Sequence, residues 1–332
     1  MRFPDLGVVV IGRNEGQRLI DCLASVRSAG ASVLVYVDSG STDGSVEAAE
    51  RAGATVVTLD PSQAFTAARA RNEGFRTVRK IASEIRFVQF IDGDCTLNAD
   101  WFARAIHFLE TRIEVAVVCG RRRERFPKAS IYNQLCDIEW DTPIGEASAC
   151  GGDSLIRVAA FEEVGGFLSR VMAGEEPELC IRLRERGWKI WRLDAEMTLH
   201  DVAMSRFRQW WVRSVRSGYG FAEVARLHKD SQFRIWSKAV PSALFWGIGL
   251  PIGIFLACAF RPYFLWLLLV YPLQVCSIAV RRGLGLPGTW AYALLAVLGK
   301  FAQARGIARY YWGQLRGQAG QLIEYKSQPR HL

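Results

Sequence analysis

Short apolar segments alternate with amphipathic segments between residues 7 and 119, and this alternation constrains the fold more strongly than any other feature of the chain. Hydrophobic runs predict buried strands at 7–12, 32–37, 54–59, 86–91 and 115–119. The segments between them have the apolar spacing of helices. Strands that alternate with helices form a parallel sheet covered on both faces. We therefore predict an α/β fold with a mostly parallel, Rossmann-like sheet.

The pattern weakens after residue 128, where three elements remain clear. We predict a helix at 175–186, a strand at 189–193 and a long amphipathic helix at 205–228. The last of these is rich in tryptophan and other aromatic residues, which suit the interface between a membrane and water.

Two long uncharged segments follow, at 240–260 and 263–280. Each is close to the roughly 20 residues that a helix needs to cross a bilayer. Arg261 and Pro262 separate them, so we predict a helical hairpin. The arginines at 281–282 place its ends in the cytoplasm, because cytoplasmic flanks of membrane helices carry the excess of positive charge.

A third apolar segment, at 290–299, is too short to span a bilayer unless the helix continues through Lys300 and Arg305. We predict an interfacial or re-entrant helix for it. The chain then has an even number of crossings, which places the N-terminal domain in the cytoplasm. The first residues lack the long apolar run of a signal peptide, which agrees with a cytoplasmic N-terminal domain.

These segments predict four regions. They are a catalytic domain at 1–204, an interface helix with a linker at 205–238, membrane helices at 239–320 and a tail at 321–332. We expect a multi-pass protein of the cell (inner) membrane, with its catalytic domain on the cytoplasmic face.

The chain carries a net charge of +9 and eight cysteines, none of them in a CxxC pair. Its basic residues are scattered, and no nucleic-acid-binding motif is present, so we expect no nucleic-acid partner. Anionic lipid headgroups, or a nucleotide diphosphate with an anionic carrier lipid, fit the charge better. The cysteines suit a reducing compartment and do not suggest a disulfide framework.

Asp92-Gly93-Asp94 is the central motif of the sequence. An apolar strand at 86–91 delivers both carboxylates to the sheet edge, and the glycine between them allows a phosphate to approach closely. Hard oxygen ligands suit Mn²⁺ or Mg²⁺, either of which also binds a diphosphate. Asp-Gly-Asp is also ordinary turn chemistry, so the motif does not establish a metal site alone.

Polar residues also follow the other predicted strands. Asn14 and Glu15 close the first strand, and Asp38 ends the second, where its carboxylate can accept from a ribose hydroxyl or a base N–H. Arg71, on the third predicted helix, can contact the nucleotide, and Asn72 can hold the loop. We predict that Asn14, Glu15, Asp38 and Arg71 bind the donor.

These motifs together resemble those of family 2 glycosyltransferases of the GT-A fold, in order and in spacing. The resemblance covers about two-thirds of the chain, to near Asp201. Its segments are Val8-Val9-Val10-Ile11, Asn14-Glu15, Asp38 through Gly44, Ala70-Arg71-Asn72, Asp92-Gly93-Asp94, Gly151-Gly152-Asp153, Val164-Gly165-Gly166-Phe167 and Glu175-Glu176. It implies a GT-A nucleotide-sugar-binding fold followed by a C-terminal helical membrane region.

The resemblance also implies roles for these positions. Asp38 and Glu15 would hold the nucleoside, Asp92 would approach the ribose or sugar, and Asp94 would ligate the metal. Members of the family often place a histidine after the last core strand as a further metal or diphosphate contact, and His200 fits that place.

The family opens one helix with a Glu-Asp pair whose acid deprotonates the acceptor, and this chain has Glu175-Glu176 there. We assign Glu176, with Glu175, to catalysis, although carboxylates at a helix N-terminus are favourable in any case. Asp153 and Arg213 are assigned to the acceptor side. The segment around Arg213 matches the Gln-x-x-Arg-Trp element of processive synthases only poorly.

We predict an inverting, metal-dependent transferase that moves a sugar from a UDP- or GDP-sugar to a hydroxyl of a lipid-linked saccharide. Transfer to a polyprenyl phosphate is the alternative. That acceptor is already ionised and needs no base, so Glu175-Glu176 favours the hydroxyl. A non-catalytic membrane scaffold is a third hypothesis, and the intact Asp38, Asp92 and Asp94 argue against it.

Overall fold

The computed structural model describes residues 2–317. The predicted tail at 321–332 lies outside this range, as do the last residues of the predicted membrane region. The chain divides into two units. The first contains the residues up to Arg125, Asp137–Val202 and Ser231–Phe233, and the second contains Phe126–Cys136, Ala203–Asp230 and the described residues from Arg234 onward.

The first unit is built on one mixed sheet of nine strands, counted over residues 2–317. The strands are β1 (Phe3–Gly12), β2 (Ala31–Asp38), β3 (Thr55–Thr58), β4 (Phe87–Asp92), β5 (Cys95–Leu97), β6 (Val115–Glu124), β7 (Gly145–Ala147), β8 (Ser154–Arg157) and β9 (Lys189–His200). Their order is β3-β2-β1-β4-β8-β6-β9-β5, and β7 pairs with β9. β1, β2, β3, β4, β6 and β9 run in one direction, which confirms the mostly parallel sheet.

Helices cover both faces of this sheet, as the alternating pattern predicts. They are α1 (Gln17–Ser28), α2 (Ser45–Arg51), α3 (Ala67–Ile81), α4 (Trp101–Thr111), α6 (Val158–Glu163) and α7 (Glu175–Glu185). A further helix, α5 (Ile131–Glu139), lies mostly in the second unit. Apolar residues of α1 and α4 belong to one buried cluster, and those of α3, α6 and α7 belong to another. In α1, for example, Leu19, Leu23 and Val26 share one face and are fully buried.

Two strands extend well beyond their predicted ends. β6 continues past Cys119 to Glu124, and β9 continues past Leu193 to His200. Both extensions contain charged residues, and the predicted strands end before them because the apolar runs stop there. The structure pairs these charges across the sheet, for example Arg123 with Glu196 at 2.7 Å.

In the second unit, α8 (Phe207–Leu227) packs against α12 (Thr289–Leu315). The helices cross closely at two glycines, because a Cβ on Gly218 would overlap the backbone of Gln303 and a Cβ on Gly306 would overlap that of Val215. α12 continues through Lys300 and Arg305 as one 27-residue helix. The third apolar segment is therefore part of a much longer helix than the predicted 290–299.

Two continuous apolar helices, Ala239–Phe260 and Pro262–Arg282, complete the second unit. The first comprises α9 (Ala239–Leu244), a π-helical turn (Phe245–Gly249) and α10 (Leu250–Phe260), and the second comprises a 3₁₀ segment (Pro262–Leu269) and α11 (Val270–Arg282). Their mean hydropathies are 2.1 and 1.9, and only 11% and 6% of their most apolar windows are buried. Among the described helices, these two are long and apolar enough to cross a membrane.

Candidate active site

The carboxyl ends of β1, β2, β4, β6 and β9 meet at one edge of the sheet. The strand register pairs Gly12 with Asp38 and Ile11 with Asp92 on one side. On the other side, it pairs Glu124 with His200. Because ligands of such folds bind beyond the carboxyl ends of the strands, this edge is the candidate active site.

Asp38 is buried at the end of β2 and accepts three hydrogen bonds. The donors are the Tyr36 hydroxyl at 2.9 Å and the backbone N–H groups of Gly40 and Ser41 at 2.9 and 2.8 Å. A carboxylate has about four acceptor positions, so these bonds shape the loop and leave capacity for one donor from a ligand. Nucleoside binding by Asp38 stays a prediction.

Asn14 joins the first two strand-end loops. Its side-chain oxygen accepts from the backbone of Thr42 at 2.7 Å, and its own N–H donates to the hydroxyl of Ser41 at 2.9 Å. Its φ of 54° lies in the left-handed region, which asparagine tolerates. The neighbouring Glu15 is buried and pairs with Arg18 at 2.7 Å. Both residues organise the edge where we predict that the nucleoside binds.

Asp92 lies between two arginines. Arg71 Nη2 is 2.8 Å from Asp92 Oδ1, and Arg122 Nη2 is 3.0 Å from Asp92 Oδ2. Burial acts to raise the pKa of the Asp92 carboxyl, but the two guanidinium groups outweigh burial and hold that pKa below its usual range. Asp92 therefore stays ionised at neutral pH.

Arg71 also reaches the first turn of α7. Its Nη1 is 2.6 Å from Glu175 Oε1, and the guanidinium is almost fully buried. One side chain thus connects the Asp92-Gly93-Asp94 motif to the helix that begins with Glu175 and Glu176. This geometry makes Arg71 a positioning residue for both segments, in addition to the donor contact that we predict.

Arg122 is a member of the site that the sequence analysis misses. Besides Asp92, it approaches Asp153 with Nε 3.4 Å from Oδ2, and it lies over the ring of Trp140 at 5.1 Å from the centroid. The signal was present, since three consecutive arginines, 121–123, follow the predicted fifth strand. Because the predicted strand ends at residue 119, the prediction does not place these arginines at the carboxyl edge of the sheet.

The carboxylate of Asp153 holds the backbone of Asp92 in place. Its Oδ1 accepts from the backbone N–H of Asp92 at 3.0 Å, and its Oδ2 accepts from the hydroxyl of Thr198 at 2.8 Å. The side chain is fully buried, so it has no surface to offer an acceptor in this structure. Asp153 positions the backbone of Asp92 in this structure, and its assignment to the acceptor side stays a prediction.

Asp94 and His200 converge, with Oδ2 and Nε2 3.3 Å apart, and both are almost fully buried. The thiol of Cys95 lies within the same cluster of ligand atoms. Burial acts to lower the pKa of His200, but the Asp94 carboxylate raises it above its usual value. A carboxylate oxygen and an imidazole nitrogen in this arrangement fit a divalent cation such as Mn²⁺.

Glu176 is partly buried at the start of α7. Burial, together with the neighbouring Glu175 carboxylate, raises the pKa of Glu176 to about 8. Cys180 donates a weak hydrogen bond to its Oε1 at 3.6 Å. A carboxylate with such a pKa is suited to accept a proton near neutral pH.

Other contacts fix α7 to the glycine-rich turn before it. Arg182 forms a bidentate pair with the fully buried Glu178, and it also donates to the carbonyl oxygens of Val164 and Gly166 at 2.5 and 2.7 Å. Asn72, on α3, forms two hydrogen bonds with the backbone of Phe167, at 2.7 and 3.0 Å. The predicted loop-holding role of Asn72 matches these bonds.

Arg213 lies on α8 in the second unit, whereas the residues described above belong to the first. Its assignment to the acceptor side stays a prediction.

Residues 7–165 match the family model described as Glycosyl transferase family 2. A pre-mycofactocin glycosyltransferase of Mycobacterium tuberculosis is 28% identical over 239 residues, covering 68% of this chain and 48% of the relative. The succinoglycan biosynthesis protein ExoA of Rhizobium meliloti is 28% identical over 173 residues, covering 48% of this chain and 51% of the relative. The chain spans about half the length of these curated relatives.

Among solved structures, the mannosyltransferase PcManGT from Pyrobaculum calidifontis, in complex with GDP-Man and Mn²⁺, has a TM-score of 0.61. It is 18% identical, and the match covers 95% of this chain and 90% of that one. This likeness concerns the fold and agrees with the predicted architecture. The matched family model and the motifs at the sheet edge lead to one assignment: residues 7–165 form a region of the Glycosyl transferase family 2 type, within a GT-A fold.

Proposed function

We propose that this enzyme transfers a sugar from a nucleotide-sugar to a hydroxyl of a lipid-linked saccharide, with inversion at the anomeric carbon. One observation carries the proposal. Arg71 bridges Asp92 and Glu175, at 2.8 and 2.6 Å, and so places the first turn of α7 beside the Asp92-Gly93-Asp94 motif. The proton acceptor and the donor-binding carboxylates are thereby held in one arrangement.

Asp94 and His200 would hold the metal ion, because their ligand atoms converge at 3.3 Å. When Mn²⁺ or Mg²⁺ is bound, it offsets the negative charge of the leaving diphosphate. Asp92 would orient the ribose or sugar, with Arg71 and Arg122 fixing its carboxylate. A UDP- or GDP-sugar is the expected donor. The complex of PcManGT with GDP-Man and Mn²⁺ supports this class of donor and cofactor.

Glu176 would remove the proton of the acceptor hydroxyl as that oxygen attacks the anomeric carbon. The new bond forms from the oxygen to this carbon while the bond from the carbon to the diphosphate oxygen breaks on the opposite face. The nucleoside diphosphate leaves, and a single in-line displacement inverts the anomeric centre. Glu175 would hold Arg71 in place during this step, through its contact at 2.6 Å.

The proposal that the acceptor is lipid-linked depends on the helices of the second unit. Its two apolar helices, Ala239–Phe260 and Pro262–Arg282, are long enough to span a bilayer and are little buried within the protein. We propose that they anchor a multi-pass protein in the cell (inner) membrane, with the catalytic domain on the cytoplasmic face. The match to a succinoglycan biosynthesis protein supports a role in polysaccharide synthesis.

Transfer to a polyprenyl phosphate is the second candidate, and one observation favours it. With a pKa of about 8, Glu176 is mostly protonated at neutral pH, and an acceptor that is already ionised needs no base. The hydroxyl acceptor remains our first proposal, because a carboxyl with this pKa is an effective base at slightly alkaline pH.

The test is a panel of labelled nucleotide-sugars, incubated with the purified protein and a membrane lipid extract. We expect one donor to give a lipid-linked product, with transfer abolished by EDTA and restored by Mn²⁺ or Mg²⁺. Mild acid hydrolysis identifies the acceptor, because a sugar on a polyprenyl monophosphate is released as the free monosaccharide. Failure to bind any nucleotide-sugar in the presence of metal would remove the catalytic proposal.

A further inference from the structure

Two cysteines and Glu176 form a cluster that the proposed transfer does not use. The thiol sulfurs of Cys150 and Cys180 are 3.7 Å apart, and Cys180 Sγ is 3.6 Å from Glu176 Oε1. The ligand atoms of the three residues all lie within 4.8 Å of one another. All three belong to the first unit, and Cys180 follows Glu176 by one turn of α7.

Two of the three separations in this cluster are those of a tetrahedral metal site. Two thiolates bound to Zn²⁺ at about 2.3 Å, with a tetrahedral angle between them, lie about 3.8 Å apart. A thiolate and a carboxylate oxygen, the latter bound at about 2.0–2.2 Å, lie about 3.5–3.7 Å apart. The observed separations of 3.7 Å between the sulfurs and 3.6 Å between sulfur and oxygen match these two values, so a cation enters without displacing the helix.

We propose that Cys150, Glu176 and Cys180 form a second metal site, which takes a thiophilic divalent cation of the Zn²⁺ class. Two thiolate ligands favour such cations over Mg²⁺ and Mn²⁺ more strongly than the single thiol of the Asp94–Cys95–His200 cluster does, so the two sites differ in selectivity. Three protein ligands leave the fourth tetrahedral position to a water molecule.

The consequence is inhibition, and this part rests on the proposed function. A Glu176 carboxylate bound to Zn²⁺ no longer accepts a proton from the acceptor hydroxyl. Bound Zn²⁺ therefore stops transfer without removing the catalytic metal, and a chelator with high affinity for Zn²⁺ restores it in the presence of excess Mg²⁺.

The experiment titrates Zn²⁺ into the full-length protein, kept reduced by a phosphine and saturated with Mg²⁺, in competition with a chromophoric chelator. We expect one tight Zn²⁺ per chain, and Co²⁺ in its place should give the charge-transfer absorption of bound thiolate. In C150S and C180S, the affinity should fall at least about tenfold, since even changes outside the ligand shell have effects of that size.

C95S is the matched control, because Cys95 is a buried thiol of the Asp94–His200 cluster. It should keep the tight Zn²⁺. If C95S lost it while C150S and C180S kept it, the cation would lie at the other cluster and the proposal would be wrong. Absence of thiolate absorption in the Co²⁺-loaded wild-type protein would also overturn it, and this measurement needs no variant.

Transfer assays separate the site from its consequence. We expect the Zn²⁺ concentration that halves the rate to rise at least about tenfold in C180S, with each variant compared with its own Zn²⁺-free rate. If Zn²⁺ bound stoichiometrically through both thiols and the rate did not change, the metal site would stand. The assignment of Glu176 as the base would then fall.

Discussion

The guanidinium of Arg71 donates to the carboxylate of Asp92, with Nη2 and Oδ1 2.8 Å apart, in a nearly solvent-free position on α3. The other amino group of the same guanidinium contacts Glu175. The planar fork of an arginine holds two carboxylates in fixed directions, which a lysine ammonium does not reproduce. The site therefore depends on the shape of this side chain as well as on its charge.

We expect R71K to lower kcat/KM by about 10–100-fold, because a displacement of about 1 Å at the reacting groups has effects of this size. R71M should lower the free energy of unfolding by about 3 kcal/mol. This value is at the lower end of the usual cost of breaking a buried ion pair, because the Asp92 side chain is 27% exposed. Transfer assays and urea denaturation measure the two effects. R76M is the control, because Arg76 is exposed on the same helix. Wild-type activity in R71K would contradict the positioning role.

Two adjacent glycines offer a matched pair of variants. A Cβ on Gly152 would lie 2.9 Å from Arg71 Nη2 and 3.1 Å from Asp92 Oδ2, whereas a Cβ on Gly151 would meet nothing within 4 Å. We expect G152A to lower kcat/KM by about 10–100-fold while G151A stays close to the wild type. Thermal melting of both variants checks that the fold is kept. Equal effects of the two substitutions would show that the crowding at Gly152 is irrelevant to catalysis.

His200 should set the affinity for the catalytic metal. After treatment with a chelator, activity is measured against free Mn²⁺. H200A should raise the half-saturating concentration at least about tenfold, because it removes a nitrogen ligand from the Asp94 cluster. H107A should leave the curve unchanged, because His107 is exposed on α4. Identical Mn²⁺ curves for both variants would argue that His200 has a structural role.

The raised pKa of Glu176 predicts a pH profile. With a pKa of about 8, this carboxyl is deprotonated in about one molecule in ten at pH 7. Because the base acts only in its deprotonated form, kcat/KM should rise about tenfold per pH unit below 8 and level off above it. The profile is measured with Mn²⁺ and donor held constant. A flat profile across this range would indicate that the acceptor arrives already ionised.

The parts predicted from sequence are those with local signals. Buried parallel strands appear as continuous apolar runs, which is why β1, β2 and β4 were found within a few residues of their ends. Asp38 and Asp92 were placed at the sheet edge because they follow those runs directly. The same logic predicted the two apolar helices.

The parts that were missed depend on contacts between distant residues. Arg122 lies within β6 because the carboxylates of Asp92 and Asp153, 30 and more residues away along the chain, neutralise its charge. The local sequence shows the arginines at 121–123 but not the distant carboxylates that pair with Arg122. The full length of α12 was missed for a similar reason, since Lys300 and Arg305 interrupt its apolar run without ending the helix.

The central claim is that Glu176 accepts the proton of an acceptor hydroxyl, and E176Q tests it most directly. The turnover of this variant should be measured beside E185Q, which makes the same change at an exposed position of α7. Calorimetry should first establish that both variants bind donor and Mn²⁺ as the wild type does. We predict that E176Q loses at least about 100-fold in kcat and that E185Q loses none. Unimpaired turnover by E176Q, with donor and metal binding intact, would contradict the account and favour a phosphate acceptor.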